Sequence, residues 1–137
     1  MNTQMIPVAA FLLLACTAVA ASAKSVSTVW TGTMRQVDVA SEKSYPMSVR
    51  FEGRKAFSEY PELACGGTWR RIATGPDGYE IYWETISHGA EIKDDNGGCL
   101  NGIVVVSRKG NQVVLGWFAS VDGSPSLASA RLTREAK

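Results

Sequence analysis

Apolar side chains recur at every second position in short runs along residues 24–137, and hardly any stretch keeps a helical period. The first run puts Val26, Thr28, Trp30, Gly32 and Met34 on one face, with Ser27, Thr31, Thr33 and Arg35 opposite. The second points Tyr45, Met47, Val49 and Phe51 inward and Pro46, Ser48, Arg50 and Glu52 outward. Pro46 has no N–H for a ladder, so it marks a strand start or an edge. Gly53-Arg54-Lys55 turns into a short strand at Ala56–Tyr60, and Pro61 to Gly67 reads as irregular. A strand over Trp69–Ala73 then meets the turn Gly75-Pro76-Asp77-Gly78.

Beyond that turn Tyr79, Ile81, Trp83 and Thr85 share one face, and Glu80, Tyr82 and Glu84 the other. The latter face is expected to meet solvent. The longest loop spans Ser87 to Gly98, with apolar spacing that hints at one helical turn ended by Gly97-Gly98. Leu100–Ser107 and Gln112–Ala119 form a hairpin, and Ala128, Ala130 and Leu132 close the core against outward Ser129, Arg131 and Thr133. The pattern predicts an all-β chain of about eight antiparallel strands, a meander forming a small barrel or sandwich in one domain over 24–137.

Residues 1–23 carry no charge, and Ile6 to Ala21 is almost continuously apolar before Ala21-Ser22-Ala23 and Lys24. An apolar run ending in a small-x-small triplet predicts a signal peptide cleaved after Ala23. Leu13-Leu14-Ala15-Cys16 supplies a rival lipobox reading, with Cys16 lipidated, although the apolar run continues past it. Removal of the segment leaves Cys65 and Cys99 of the three cysteines, and an exported setting pairs them as one disulfide. A net charge of +1 offers no field for nucleic acid, and one His with three Cys does not make an ordinary zinc site.

The landmarks taken in order are Trp30-x-Gly32-Thr33, Tyr45-Pro46-Met47-x-Val49, Tyr60-Pro61-Glu62-Leu63-Ala64-Cys65-Gly66-Gly67, Glu84-x-Ile86-x-x-Gly89, Cys99 and Ala128-x-Ala130-x-Leu132. This pattern resembles a small bacterial β-domain found on secreted proteins and on the extracytoplasmic ends of some actinobacterial serine/threonine kinases. The resemblance implies an all-β domain with one disulfide at Cys65 and Cys99, and it carries over no catalytic residue. The chain has no kinase segment, so a signalling role is not implied.

Candidate chemistry is sparse. His88, the only imidazole, is expected in an exposed loop, and its neighbour Ser87 is expected to point away from it. Glu80 and Glu84 would stand about 13 Å apart along one strand, beyond the glycosidase spacing of about 5–9.5 Å, and suit a solvated face. Asp94-Asp95-Asn96-Gly97 lacks the closing Glu of a calcium loop and reads as a turn. Trp30, Trp83 and Trp117 are expected in the core. Trp69 is expected in the core or a packed rim, with Trp69-Arg70-Arg71 as a candidate surface anchor in the alternative and Tyr82 as a further contact.

Ile103-Val104-Val105-Val106 and Val113-Val114-Leu115 are apolar on both faces, whereas an antiparallel sheet ordinarily wets one. Either loops cover the second face or it is a contact surface, in which case Val104, Val106 and Val114 are candidate partner contacts. The expected function is a non-catalytic exported binding domain, periplasmic or secreted, that recognises a protein partner in the cell envelope. Its concrete form is an inhibitor or immunity protein against a wall-degrading enzyme. A small-ligand carrier lined by Trp30, Met34, Met47, Phe51, Trp83 and Trp117, and a glycosidase-like enzyme using Glu80 and Glu84, stand as alternatives. No cofactor, metal or nucleic acid is expected, and no membrane unless Cys16 is lipidated.

Overall fold

The computed structural model describes residues 27–89 and 99–135. The expected signal segment, Cys16 and the Asp94–Gly97 turn lie outside them. Eight antiparallel strands follow one another around a closed barrel: β1 Val29–Val37, β2 Glu42–Glu52, β3 Lys55–Tyr60, β4 Cys65–Thr74, β5 Glu80–Gly89, β6 Gly102–Lys109, β7 Gln112–Val121 and β8 Ser124–Arg134. β1 pairs with β2 on one side and β8 on the other, so the sheet has no free edge. Each strand hydrogen-bonds its sequence neighbour, which lets two-residue turns make several of the connections. At Asp122-Gly123 both residues adopt positive φ, 48° and 81°, and the mirror-image turn there matches the twist of β7 and β8.

Alternation along each strand fills the lumen. Trp30, Met34, Met47, Val49, Leu115 and Leu132 are buried inside, as the period-2 pattern requires. Phe51, Trp69 and Tyr82 form an aromatic cluster with ring centroids 5.9–6.2 Å apart. Gly32 belongs to the interior face for a steric reason. A β-carbon there would stand 2.4 Å from the Arg131 carbonyl oxygen on β8.

Three expectations about local structure are corrected. The segment read as irregular is a single 3₁₀ turn, Pro61–Leu63, closed by left-handed Ala64, after which Cys65 already belongs to β4. β5 runs to Gly89, so Ser87 and His88 lie on a strand rather than in a loop. The faces of β5 are inverted: Glu80, Tyr82 and Glu84 point into the barrel, while Trp83 is 40% exposed outside. Partners contributed by other strands, described below, decide that inversion.

Cys65 and Cys99 are disulfide-bonded, joining the start of β4 to a residue three positions before β6 across 34 positions. A structural disulfide belongs to an oxidising, extracytoplasmic compartment. Closing a loop of that length restricts the unfolded chain, so replacing both cysteines by serine should cost about 3–4 kcal/mol. Urea unfolding of the oxidised protein and of the double variant, compared at one temperature, measures it.

Candidate functional site

The buried carboxylate of Glu84 organises one end of the barrel. β5 aims it inward, at 1% exposure, between donors from β3, β4 and β7. The Ser58 hydroxyl donates to Oε1 at 2.5 Å, the Tyr60 hydroxyl at 2.8 Å and the Trp69 indole N–H at 2.7 Å, while the Trp117 indole N–H donates to Oε2 at 2.9 Å. Ser58 Oγ in turn accepts from the Gly67 backbone N–H at 3.2 Å. Room for the carboxylate comes from Gly67, where a β-carbon would lie 2.9 Å from Glu84 Oε1.

Burial pushes the Glu84 carboxyl above its ordinary value of 4.5, and the four donors oppose that rise without cancelling it. The same desolvation, reinforced by the neighbouring Glu84 charge, pushes the Tyr60 and Tyr45 phenols up. The two phenol rings meet edge-on at 6.0 Å. Beside them Tyr45 donates to Gln36 Oε1 at 2.7 Å, and the Gln36 amide nitrogen donates to Asp38 at 3.1 Å and Ser126 at 3.0 Å. The Ser126 hydrogen bond, helped by Gln36, holds the Asp38 carboxyl below its ordinary value against a smaller effect of burial.

Glu80 lies at the other end of β5 and is held differently. Burial raises its pKa, but hydrogen bonds and charge from Arg71 and Arg108 outweigh it and leave the carboxyl below 4.5. Each guanidinium takes one carboxylate oxygen, and Arg108 also stacks over Phe51 at 4.7 Å. Both glutamates expected on a wet face are therefore buried and engaged, one by neutral donors and one by cations. Tyr82 between them is fully buried, so it is no surface contact.

For Trp69-Arg70-Arg71 the core reading of Trp69 holds and the surface-anchor alternative is removed. Trp69 is fully buried because its indole N–H serves Glu84, Arg71 turns in to Glu80, and Arg70 alone stays exposed outside. The register shift between Gly66 and Gly67, which pair with His88 and Ile86, leaves Ser87 as an extra residue on β5. This bulge overturns the expectation that Ser87 and His88 diverge. Ser87 Oγ lies 3.3 Å from His88 Nδ1, and His88 Nε2 lies 2.9 Å from Glu59 Oε2. The group is exposed, and its serine and carboxylate sit on the open outer wall of β3 and β5.

Outside the barrel, the register aligns apolar side chains on five adjacent strands. Trp83 pairs with Ile103, Ile103 with Phe118, Phe118 with Leu127, and Leu127 with Val37. Four of them are 40–52% exposed, and Val105 and Val114 widen the row on β6 and β7. Of the valines expected as contacts only Val114 faces out; Val104 and Val106 are fully buried, because the strand parity exports Ile103 and Val105 instead. Arg70 follows Trp83 across β4, and Glu42 follows Val37 across β2, so charge bounds the row at both ends.

Unspent donors were the signal for Glu84. Ser58, Tyr60, Trp69 and Trp117 on interior faces each require an acceptor, and a buried indole N–H can only donate. Among the described residues no group of three or more His, Cys, Asp or Glu side chains is placed to hold a metal. The chain matches no family model, no curated protein and no solved structure.

Glu84→Gln would set an amide N–H₂ against one of the indole N–H donors and leave it unpaired. The expected cost is about 1–3 kcal/mol. Because the folded-state pKa of Glu84 lies above 4.5, the native protein binds the extra proton. The stability contributed by that protonation is full below about 4.5 and is lost as pH rises through the folded value. The deficit of the variant is therefore largest in acid and shrinks toward neutrality, which denaturant titrations of both proteins between pH 4 and 8 would read.

Proposed function

We propose that this chain is a non-catalytic exported binding domain that recognises a protein partner in the cell envelope through the outer row Trp83–Ile103–Phe118–Leu127–Val37. The row itself is the observation that carries the reading. Apolar side chains aligned on five neighbouring strands contribute nothing to the core, while contiguous apolar surface rimmed by charge is the usual composition of an interaction site. Trp83 and Phe118 supply the rigid aromatic anchors that dominate binding energy at such sites.

Export is supported by the apolar segment ending at Ala21-Ser22-Ala23 and by the Cys65–Cys99 bond. The same features suit the resemblance to secreted β-domains. The occupied interior favours contact over transport or hydrolysis. Beside Glu84 there is about 30 Å³ for the centre of a water to move in, room for one or two waters and not a sugar ring. Glu80 is spent on Arg71 and Arg108. An inhibitor or immunity protein that presses a convex apolar face against a wall-degrading enzyme is the form that fits this compartment.

The test is face-directed cross-linking. A photoreactive side chain at Phe118 and another at Ser48, on the opposite wall, are presented to envelope extracts at micromolar concentration. A defined adduct from position 118, absent from position 48 and lost when Leu127→Asp is added, supports the reading. Equal labelling from both walls, or none, ends it. Leu127 is 52% exposed, so the aspartate should change stability by no more than about 0.5 kcal/mol.

A further inference from the structure

The small cavity at the Glu84 end has a one-sided chemistry. Its polar lining is Gln36, Tyr45, Tyr60, Glu84 and Trp117. The Tyr60 O–H and Trp117 N–H are spent on Glu84, and the Tyr45 O–H is spent on Gln36 Oε1. Gln36 is oriented by Asp38: an ionised carboxylate accepts only, so the amide nitrogen faces it and the amide oxygen faces Tyr45. The side-chain capacity left over is therefore all acceptor: lone pairs on Glu84 Oε2, both phenol oxygens and Gln36 Oε1. Among the described residues, the hydrogen-bond partners of Glu84 are neutral side chains and include no cation.

Around this cup stand three aromatic rings, those of Tyr45, Tyr60 and Trp117, and its rim is formed by half-buried Leu63, Ile86 and Leu100. An occupant that matches must bring donors only, carry positive charge to answer a carboxylate that no cation among the described residues compensates, and present a head no larger than a water or two. It must also carry apolar matter where the rim is apolar. We propose that the barrel mouth binds a primary ammonium group borne on a short unbranched alkyl chain. The ammonium head donates to Glu84 Oε2 and the phenol and amide oxygens, and the alkyl stem lies along Leu63, Ile86 and Leu100. Aromatic rings beside the head add to the attraction of a desolvated cation. This site faces the interior and does not depend on the outer apolar row.

The ammonium group could arrive on a free amine or on a lysine side chain, and two arms separate the sources. ¹⁵N-labelled protein is titrated at constant ionic strength with n-butylammonium chloride, and separately with Nα-acetyl-lysine amide. The readout is the indole N–H resonance of Trp117. A third arm uses tetramethylammonium chloride, which has the charge without a donor. A saturable shift with butylammonium alone identifies a free amine, and one with the lysine derivative, alone or as well, admits a side chain of a protein. Tetramethylammonium should give none. Glu84→Gln should abolish the shift. Tyr45→Phe, which removes one acceptor and leaves the carboxylate in place, should weaken binding about tenfold. No saturable shift with either amine, an equal response to tetramethylammonium, or unchanged affinity in a folded Tyr45→Phe variant overturns the proposal.

Discussion

A carboxylate in an apolar barrel is the constraint on which this structure turns. Glu84 could not be buried alone, since removing an ionisable group from water costs several kcal/mol unless its oxygens are answered. Four side chains on β3, β4 and β7 answer them. Those strands are thereby fixed in register relative to β5, because a slip of one residue would turn each donor to the outer wall. Gly67 is part of the same arrangement, being the position where any side chain would collide with the carboxylate.

The second glutamate shows that the two ends of β5 solve one problem by opposite means. Glu80 is neutralised by two guanidiniums and titrates low, whereas Glu84 is held by neutral donors and titrates high. Among the described residues, one end is thus compensated in charge and the other only in hydrogen bonds. The difference makes the Glu84 end the electrostatically unfinished part of the barrel, with an acceptor-lined space beside it. Outside, the unfinished feature is apolar. β6 and β7 supply Val104, Val106, Val113 and Leu115 to the core and still present Val105, Val114 and Phe118 to solvent.

Much of this fold is legible in the chain. Strict alternation in β2 and β8, and the turns at Gly53 and Gly110, give an antiparallel meander of eight strands directly, and Cys65 and Cys99 give the bond that holds it. What misleads is β5, where the more apolar face, Ile81 and Trp83, is the outer one. Local alternation identifies two faces but not which of them is buried. That choice depended on Ser58, Tyr60, Trp69, Trp117, Arg71 and Arg108, all on other strands. The bulge at Ser87 was equally invisible, since it arises from the pairing of β4 with β5 and not from either strand alone.

The sequence by itself determined strand count, antiparallel order, the cysteine pair and most of the core, because period-2 patterning and turn chemistry are local properties of the chain. Tertiary structure alone decided that Glu80 and Glu84 are interior, that Trp69 serves a carboxylate, and that Trp83, Ile103, Phe118, Leu127 and Val37 form one row. Barrel closure is the reason. It sets the lateral register of residues far apart in sequence, and both the partners of a buried charge and the neighbours of an exposed side chain follow from that register.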